Sequence, residues 1–203
     1  MSRYRGPRLK IVRRLGQELP GFTNKTSGKQ SPMSQSIGKK TKLSQYAVRL
    51  QEKQKLRFNY GLTESQLIKY VKLAKNTKGA TGEILLQLLE MRLDNTIFRF
   101  GITSTIAAAR QLITHGHILV NNKKITIPSY QCEIKDQISV SKKKSSRDLI
   151  ARFFENSNSY VIPSHLSFNK DSLDGEVNSI ASRQSINLQL NELLIVEYYS
   201  KRI

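Results

Sequence analysis

Residues 92–123 read RLDNTIFRFGITSTIAAARQLITHGHILVNNK, and this stretch decides what kind of fold the chain contains. Leu93, Ile97 and Phe100 fall at i, i+4 and i+7, one apolar stripe of a short helix, and Gly101 suits a left-handed cap at its end. Thr103 or Ser104 starts a second helix, in which Ala107, Ala108 and Ala109 permit close helix–helix approach, Leu112 and Ile113 supply core, and Gly116 terminates. Ile118–Val120 and Ile125–Ile127 then flank Asn121-Asn122-Lys123; asparagine tolerates positive φ, so these three residues are read as a hairpin turn. Gln137–Val140 is a further strand. The whole is a compact module running from about Arg92 to Val140.

The polar side chains of this module are Arg92, Asn95, Arg99, Arg110, Gln111, His115, His117, Asn121, Asn122, Lys123 and Lys124. They are expected to line one continuous surface. Arginine and lysine hold phosphates, while asparagine, glutamine and histidine reach sugar hydroxyls and base edges, so the mixture points to RNA. Arg99 and Arg110 lead the candidates. Asp94 is read as stabilising a helix N-terminus and orienting arginine, not as a catalytic carboxylate. His115 and His117 have no third ligand nearby, so RNA contact or helix capping is preferred to metal binding.

Upstream, Ser44 caps a helix running through Tyr46, Ala47 and Leu50 to Phe58, with Arg49, Lys53, Lys55 and Arg57 around it and Gly61 as its stop. Thr63 and Gln66 form a capping box, followed by Leu67, Tyr70, Val71 and Ala74 on one face and Lys69, Lys72 and Lys75 on the other. Thr81 opens a third helix with the stripe Leu85, Leu88, Leu89. Residues 1–42 carry little apolar periodicity beyond Leu9, Ile11, Val12 and Leu15, and read as an extended basic arm with about one helical turn. Arg3, Arg5, Arg8, Arg13, Arg14, Lys39, Lys40 and Lys42 are its candidate phosphate contacts, joined on the helices by Arg49, Lys53, Arg57, Lys69 and Lys72.

Charge supports a polyanionic partner: 34 Lys plus Arg stand against 15 Asp plus Glu in 203 residues, a net charge of +19. Residues 1–60 hold 15 Lys or Arg against 2 Glu, whereas residues 161–203 hold 4 basic against 5 acidic. The tail is therefore expected to pack on protein, with Tyr198 and Tyr199 packing after an apolar strand. Lys142–Lys144 with Arg147 reads equally as a phosphate clamp or a solvated loop. Neither terminus carries an apolar run long enough for a membrane span or secretory signal, so a soluble chain is expected. Cys132, the single cysteine, excludes an internal disulfide and a multi-cysteine zinc site and is read as a half-buried strand residue.

Tyr60-Gly61-Leu62, Gly79-Ala80-Thr81-Gly82, Leu85 through Glu90, Arg92-Leu93-Asp94-Asn95, Ala109-Arg110-Gln111-Leu112, His115-Gly116-His117-Ile118, Val120-Asn121 and Ile127-Pro128-Ser129-Tyr130 resemble the small-subunit ribosomal protein four, or "S-four", family. The module resembles the S-four RNA-binding domain, also called the alpha-L motif. The likeness extends to Met1–Arg8 and Asn191–Ser200, whose wording is most similar to the plastid branch, with a bacterial origin as the alternative. A chain that begins directly at that motif is expected to lack a transit peptide and to be made inside the organelle.

The resemblance implies an α+β fold: a basic arm at 1–42, a helical domain at 43–90 joined by the tail 178–203, and a second domain at 91–177 holding the module at 91–150. It implies a direct, early binder of small-subunit ribosomal RNA that nucleates assembly of the subunit body. Small-subunit proteins three, five and twelve are the implied neighbours, the second and third linked to decoding accuracy. It implies no active site, no small-molecule substrate and no cofactor, residence in plastid stroma, and Tyr130 within the RNA-binding set. Relatives with an N-terminal cysteine cluster hold zinc; this chain has none there. Asn122 stands where glycine is usual in the turn, and Ala181 where many bacterial members have proline. The rival classes are an S-four-domain protein outside the ribosome, an enzyme using such a domain as a guide, as some pseudouridine synthases and tyrosyl-tRNA synthetases do, and a basic protein adsorbing to membranes or DNA. The remaining chain offers neither a phosphate-cradling Gly-rich loop nor a nucleophile paired with a base.

Overall fold

The computed structural model describes residues 4–25, 44–155, 162–186 and 188–200. The chain divides into two compact units, Met1–Leu85 with Leu188–Ile203, and Leu86–Asn187. Residues 178–186 thus fall with the second unit, not with the helical domain as expected, because Ala181 is fully buried in the second unit's core.

In the first unit, helix α1 (Arg8–Leu15) ends at Gly16, whose φ of 65° is the left-handed conformation expected of a glycine cap. Val12, Leu15, Leu19 and Phe22 are buried. The described part of the arm is therefore an eight-residue helix followed by a packed turn, where an extended arm with about one helical turn was expected. Its few apolar residues recur at intervals of three or four, enough to bury one face despite the charge around them. Phe22 lies 5.4 Å from the Phe58 ring, and Tyr4 closes the cluster at 5.4 Å from Phe58.

Helix α2 (Gln45–Asn59) starts at Ser44, whose Oγ accepts from the Ala47 amide at 3.2 Å. Helix α3 (Glu64–Asn76) carries both arms of its capping box: the Gln66 amide donates to Thr63 Oγ1 at 3.4 Å, and the Thr63 amide to Gln66 Oε1 at 3.1 Å. Leu67, Val71 and Ala74 are buried on its inner face. Helix α4 (Thr81–Glu90) buries Leu85, Leu86 and Leu89, with Leu88 only half-buried, so its apolar arc is rotated from the expected stripe.

The tail ends in a helix, α8 (Glu192–Ser200), not a strand. Ile195, Tyr198 and Tyr199 are buried at helical spacing while Leu193 is 68% exposed, so the segment is not uniformly core. A nearly continuous apolar run has no periodicity by which to tell the two structures apart. Tyr199 Oη donates to Glu64 Oε1 at 2.6 Å, and Arg49 Nε to Glu197 Oε2 at 2.7 Å, tying α8 to α3 and α2.

The second unit begins at Leu86, within α4, and continues with helices α5 (Leu93–Arg99) and α6 (Ile106–Thr114). Thr105, not Thr103 or Ser104, caps α6, accepting from the Ala108 amide at 3.3 Å. Thr103 is fully buried and its hydroxyl donates to the Thr105 carbonyl, which uses it inside the preceding loop. Of the three alanines only Ala109 is buried. Strands β1 (Ile118–Val120), β2 (Lys123–Lys124), β3 (Gln137–Val140), β4 (Leu166–Asn169) and β5 (Asp174–Val177) form one antiparallel sheet in the order β2-β1-β3-β5-β4. Asn121 and Asn122 have φ of 50° and 63°, a two-residue turn whose twist matches the strands it joins. Pairing therefore resumes at Lys123, and Ile125–Ile127 lies beyond the strand expected there.

Helix α7 (Lys144–Glu155) sends Ile150 into the core, with Leu149, Phe153 and Phe154 packed against it. Gly175 pairs with both Ile138 and Phe168 at the centre of the sheet, and a Cβ there would lie 2.5 Å from the Phe100 ring. Its missing side chain lets Phe100 stack on Phe168 at 4.9 Å. Cys132 is buried in the same core outside any strand, and burial raises its thiol to about 12.

Candidate nucleic-acid interface

The start of α5 brings opposite charges together out of water. Arg92 Nε donates to Asp94 Oδ1 at 3.0 Å and Arg92 Nη2 to Asp94 Oδ2 at 2.8 Å, while Arg110 Nε reaches Asp94 Oδ2 at 2.7 Å. Beside them, Glu90 accepts from Arg99 Nε at 3.0 Å and Nη2 at 2.7 Å, and from Asn95 Nδ2 at 2.6 Å. Asp94 and Glu90 are each 1% exposed. Such groups persist in a core only when paired, and here each carboxylate holds two partners.

This arrangement corrects the sequence-derived surface. Arg92 is 3% and Asn95 1% exposed, so neither lies on the face assigned to it. The Arg99 side chain is 10% exposed and that of Arg110 21%, so Arg110 is the arginine of this set that reaches solvent while anchored from behind. In the first unit Lys53 is likewise buried, its Nζ donating at 2.9 Å to both oxygens of Glu64 and lying 4.8 Å from the Tyr198 ring centroid. For Arg92 and Lys53 a neighbouring carboxylate satisfies the charge, whereas Asn95 donates from Nδ2 while its Oδ1 is buried with no hydrogen-bond partner among the described residues.

At the other end of α6 the polar side chains turn outward. Gln111, His115, Asn122, Lys123 and Lys124 are exposed and His117 is half-buried. His117 Nδ1 sits 2.9 Å from Ser146 Oγ, and the His115 and His117 rings are 6.1 Å apart. Burial, then the nearby charges of His115, Lys124 and Lys143, hold the His117 imidazole below its ordinary range. It is neutral at pH 7 and acts as a hydrogen-bonding group. Gly116 has φ 76°, and a Cβ there would collide with the Lys124 side chain, which therefore lies across the turn between the two histidines.

Asn121 is exposed yet occupied. Its Nδ2 donates to Asp136 Oδ1 at 2.8 Å and its Oδ1 accepts from the Gln137 amide at 3.0 Å, so it fixes the hairpin. Tyr130 is half-buried against the core, with its phenol shifted upward first by burial and then by Asp136. Ser146 beside His117 was not anticipated, whereas Lys143 belongs to the run Lys142–Lys144 that reads equally as a phosphate clamp or a solvated loop.

On the first unit, Arg5, Arg14, Lys69 and Lys72 are exposed. Arg8 donates to the Phe22 carbonyl at 3.0 Å, Arg13 to that of Leu9 at 3.3 Å and Arg57 to that of Leu62 at 3.3 Å. Arg3, Lys39, Lys40 and Lys42 lie outside the described residues. Among the described residues no group of three His, Cys, Asp or Glu could hold a metal ion, and no helix is long and apolar enough to cross a membrane.

Comparison with known proteins matches residues 3–90 to the family model described as the ribosomal protein S4/S9 N-terminal domain and residues 91–138 to the S4 domain. Small ribosomal subunit protein uS4c of Oltmannsiellopsis viridis is 61% identical over 202 residues, covering 99% of this chain and 100% of the relative. The uS4c proteins of Tupiella akineta and Mesostigma viride are 57% and 56% identical, over 99% and 100% of this chain and 100% of each relative. The second unit carries the S4 domain, and identity at this level runs from the first helix to the last. The chain belongs to the uS4c family, the chloroplast-type small ribosomal subunit proteins, a family of structural components of the ribosome and not of enzymes.

Proposed function

We propose that this chain binds small-subunit ribosomal RNA directly, as an early binder around which the body of the subunit assembles. The observation that carries this reading is the convergence of Gln111, His115, His117 and Lys124 at one end of α6, next to the hairpin. Exposed cations hold phosphates there, while neutral amide and imidazole groups reach sugars and bases. Arg110, anchored by Asp94, is the guanidinium best prepared to meet a phosphate on the same helix. Arg5, Arg14, Lys69 and Lys72 supply further salt-sensitive affinity from the first unit. The site of action is the plastid stroma, within the ribosome. Small-subunit proteins three, five and twelve are the proposed neighbours, and contacts with five and twelve are the proposed route to translational accuracy.

The test compares binding of the full chain to structured small-subunit ribosomal RNA, to duplex DNA of equal length and to anionic vesicles at one fixed salt concentration. Preference for the RNA is the expected result. Equal affinity for all three would reduce the chain to a basic adsorber. Absence of the chain from purified small subunits would favour an S4-domain protein acting outside the ribosome.

A further inference from the structure

Between α6 and α7 lies a groove of about 110 Å³. Its floor is apolar, formed by Leu112, Leu149 and Phe153, and its rim is polar, formed by Gln111, His115 and His117. Leu149 and Phe153, only partly buried, also pack against the core of the second unit. An apolar slot open to solvent with three hydrogen-bonding groups on its lip is shaped for a flat ring that carries polar atoms on its edge.

We propose that this groove holds one unstacked pyrimidine of the bound RNA, its face on Phe153 and Leu149 and its edge toward Gln111 and the two imidazoles. The proposal rests on the RNA-binding reading above and adds the ligand's chemical class and its place. Size bounds the class: at about 110 Å³ the groove is smaller than the roughly 150 Å³ apolar cavity that accepts benzene, so a single six-membered ring seats with one edge in solvent and a two-ring purine seats less. Charge complementarity supports it. The Lys124 side chain crosses Gly116, between His115 and His117, and so puts a cation beside the groove for the nucleotide's phosphate. His117 Nδ1 is engaged by Ser146 Oγ, which leaves Nε2 as the ring nitrogen with no partner among the described residues. Gln111 carries both a donor and an acceptor on one amide, matching the mixed edge of uracil or cytosine.

Two measurements on the full chain test this. First, small-subunit ribosomal RNA transcribed with 5-iodouridine and 5-iodocytidine is bound to the unmodified protein, irradiated, and the attached peptides mapped. Attachment to Phe153, His115 or His117 is the expected result, and attachment only to peptides elsewhere overturns the proposal. Second, Ala108→Leu fills the groove from α6 without changing charge. Affinity should fall about five- to 150-fold, the value of one stacked base, with the salt slope unchanged because no phosphate contact is lost. Wild-type affinity in a variant with an unchanged urea midpoint overturns the groove; where that midpoint moves, the crosslinking result decides. If the unmodified chain shows no preference for the RNA, the underlying reading fails instead.

Discussion

Replacing Asp94 with asparagine probes the buried ionic cluster with least change of shape. Asparagine keeps the volume but removes the charge facing two guanidinium groups and turns an amide donor toward them. The Arg92 pair is almost wholly buried, and removing one partner from such a pair costs about 3–5 kcal/mol, because the remaining charge stays out of water. Arg110 is partly solvated, so its share is about 1 kcal/mol or less. Against a total stability of about 5–15 kcal/mol, this is a large fraction of what holds the second unit folded. Hydrogen exchange on peptides spanning α6 and β1 reads that unit separately from the first. Its opening free energy should drop by about 3–5 kcal/mol, a rise of roughly two to four orders of magnitude in exchange rate. The double variant Arg92→Met/Asp94→Leu should recover most of the loss, since apolar replacement of a whole buried pair is close to neutral. A drop below about 1 kcal/mol for Asp94→Asn would show that the cluster is solvated in a way its geometry denies. No recovery in the double variant would assign the loss to packing instead of charge.

Thr63→Ala removes one arm of the capping box and should lower stability by about 0.5–2 kcal/mol, with Thr63→Ser close to wild type; thermal melts decide this. Glu64→Gln should release α8, seen as faster proteolysis at the C-terminus, because it weakens acceptors for both Lys53 and Tyr199. Burial alone would raise the Glu64 carboxyl, but the hydrogen bonds from Tyr199 and Lys53 and the charges of Lys53 and Arg57 outweigh it and leave it lowered. Its stabilisation is therefore present at neutral pH and lost as pH falls through that lowered value, so wild type and Glu64→Gln should begin to converge in stability as pH drops below about 4.3, the free carboxyl value, and meet only below the lowered one. His165 is buried with neither ring nitrogen hydrogen-bonded among the described residues, and its imidazole is lowered chiefly by burial. The unfolded chain then takes up the proton first, so stability should fall as pH drops below about 6.5. His165→Phe should flatten that fall, and an unchanged urea midpoint profile between pH 7 and 5 would refute this assignment.

What could be read in advance follows the range of the forces involved. Ser44 with Ala47, Thr63 with Gln66, and the glycines at 61, 101 and 116 act within four residues, so each helix boundary they set was visible in neighbouring letters. The hairpin was legible as a turn, but its register was not, because two consecutive positive-φ asparagines restart pairing at Lys123. Strands β4 and β5 were not anticipated: their alternation is short and partly polar, and Gly175 makes sense only once Phe100 is seen against it.

The amino-acid sequence by itself determined the α+β class, the helical module before the hairpin, the excess of positive charge and the family. Only the tertiary structure decided which of the polar residues face water. Glu64 lies eleven residues from Lys53, Glu90 nine from Arg99 and Asp94 sixteen from Arg110, so the acceptors that withdraw or anchor these cations arrive only when the chain folds back on itself. A buried charge must find its counter-charge or stay in water, and that choice is made across space, not along the chain. The same folding leaves Gln111, His115, His117 and Lys124 together at the open end of α6.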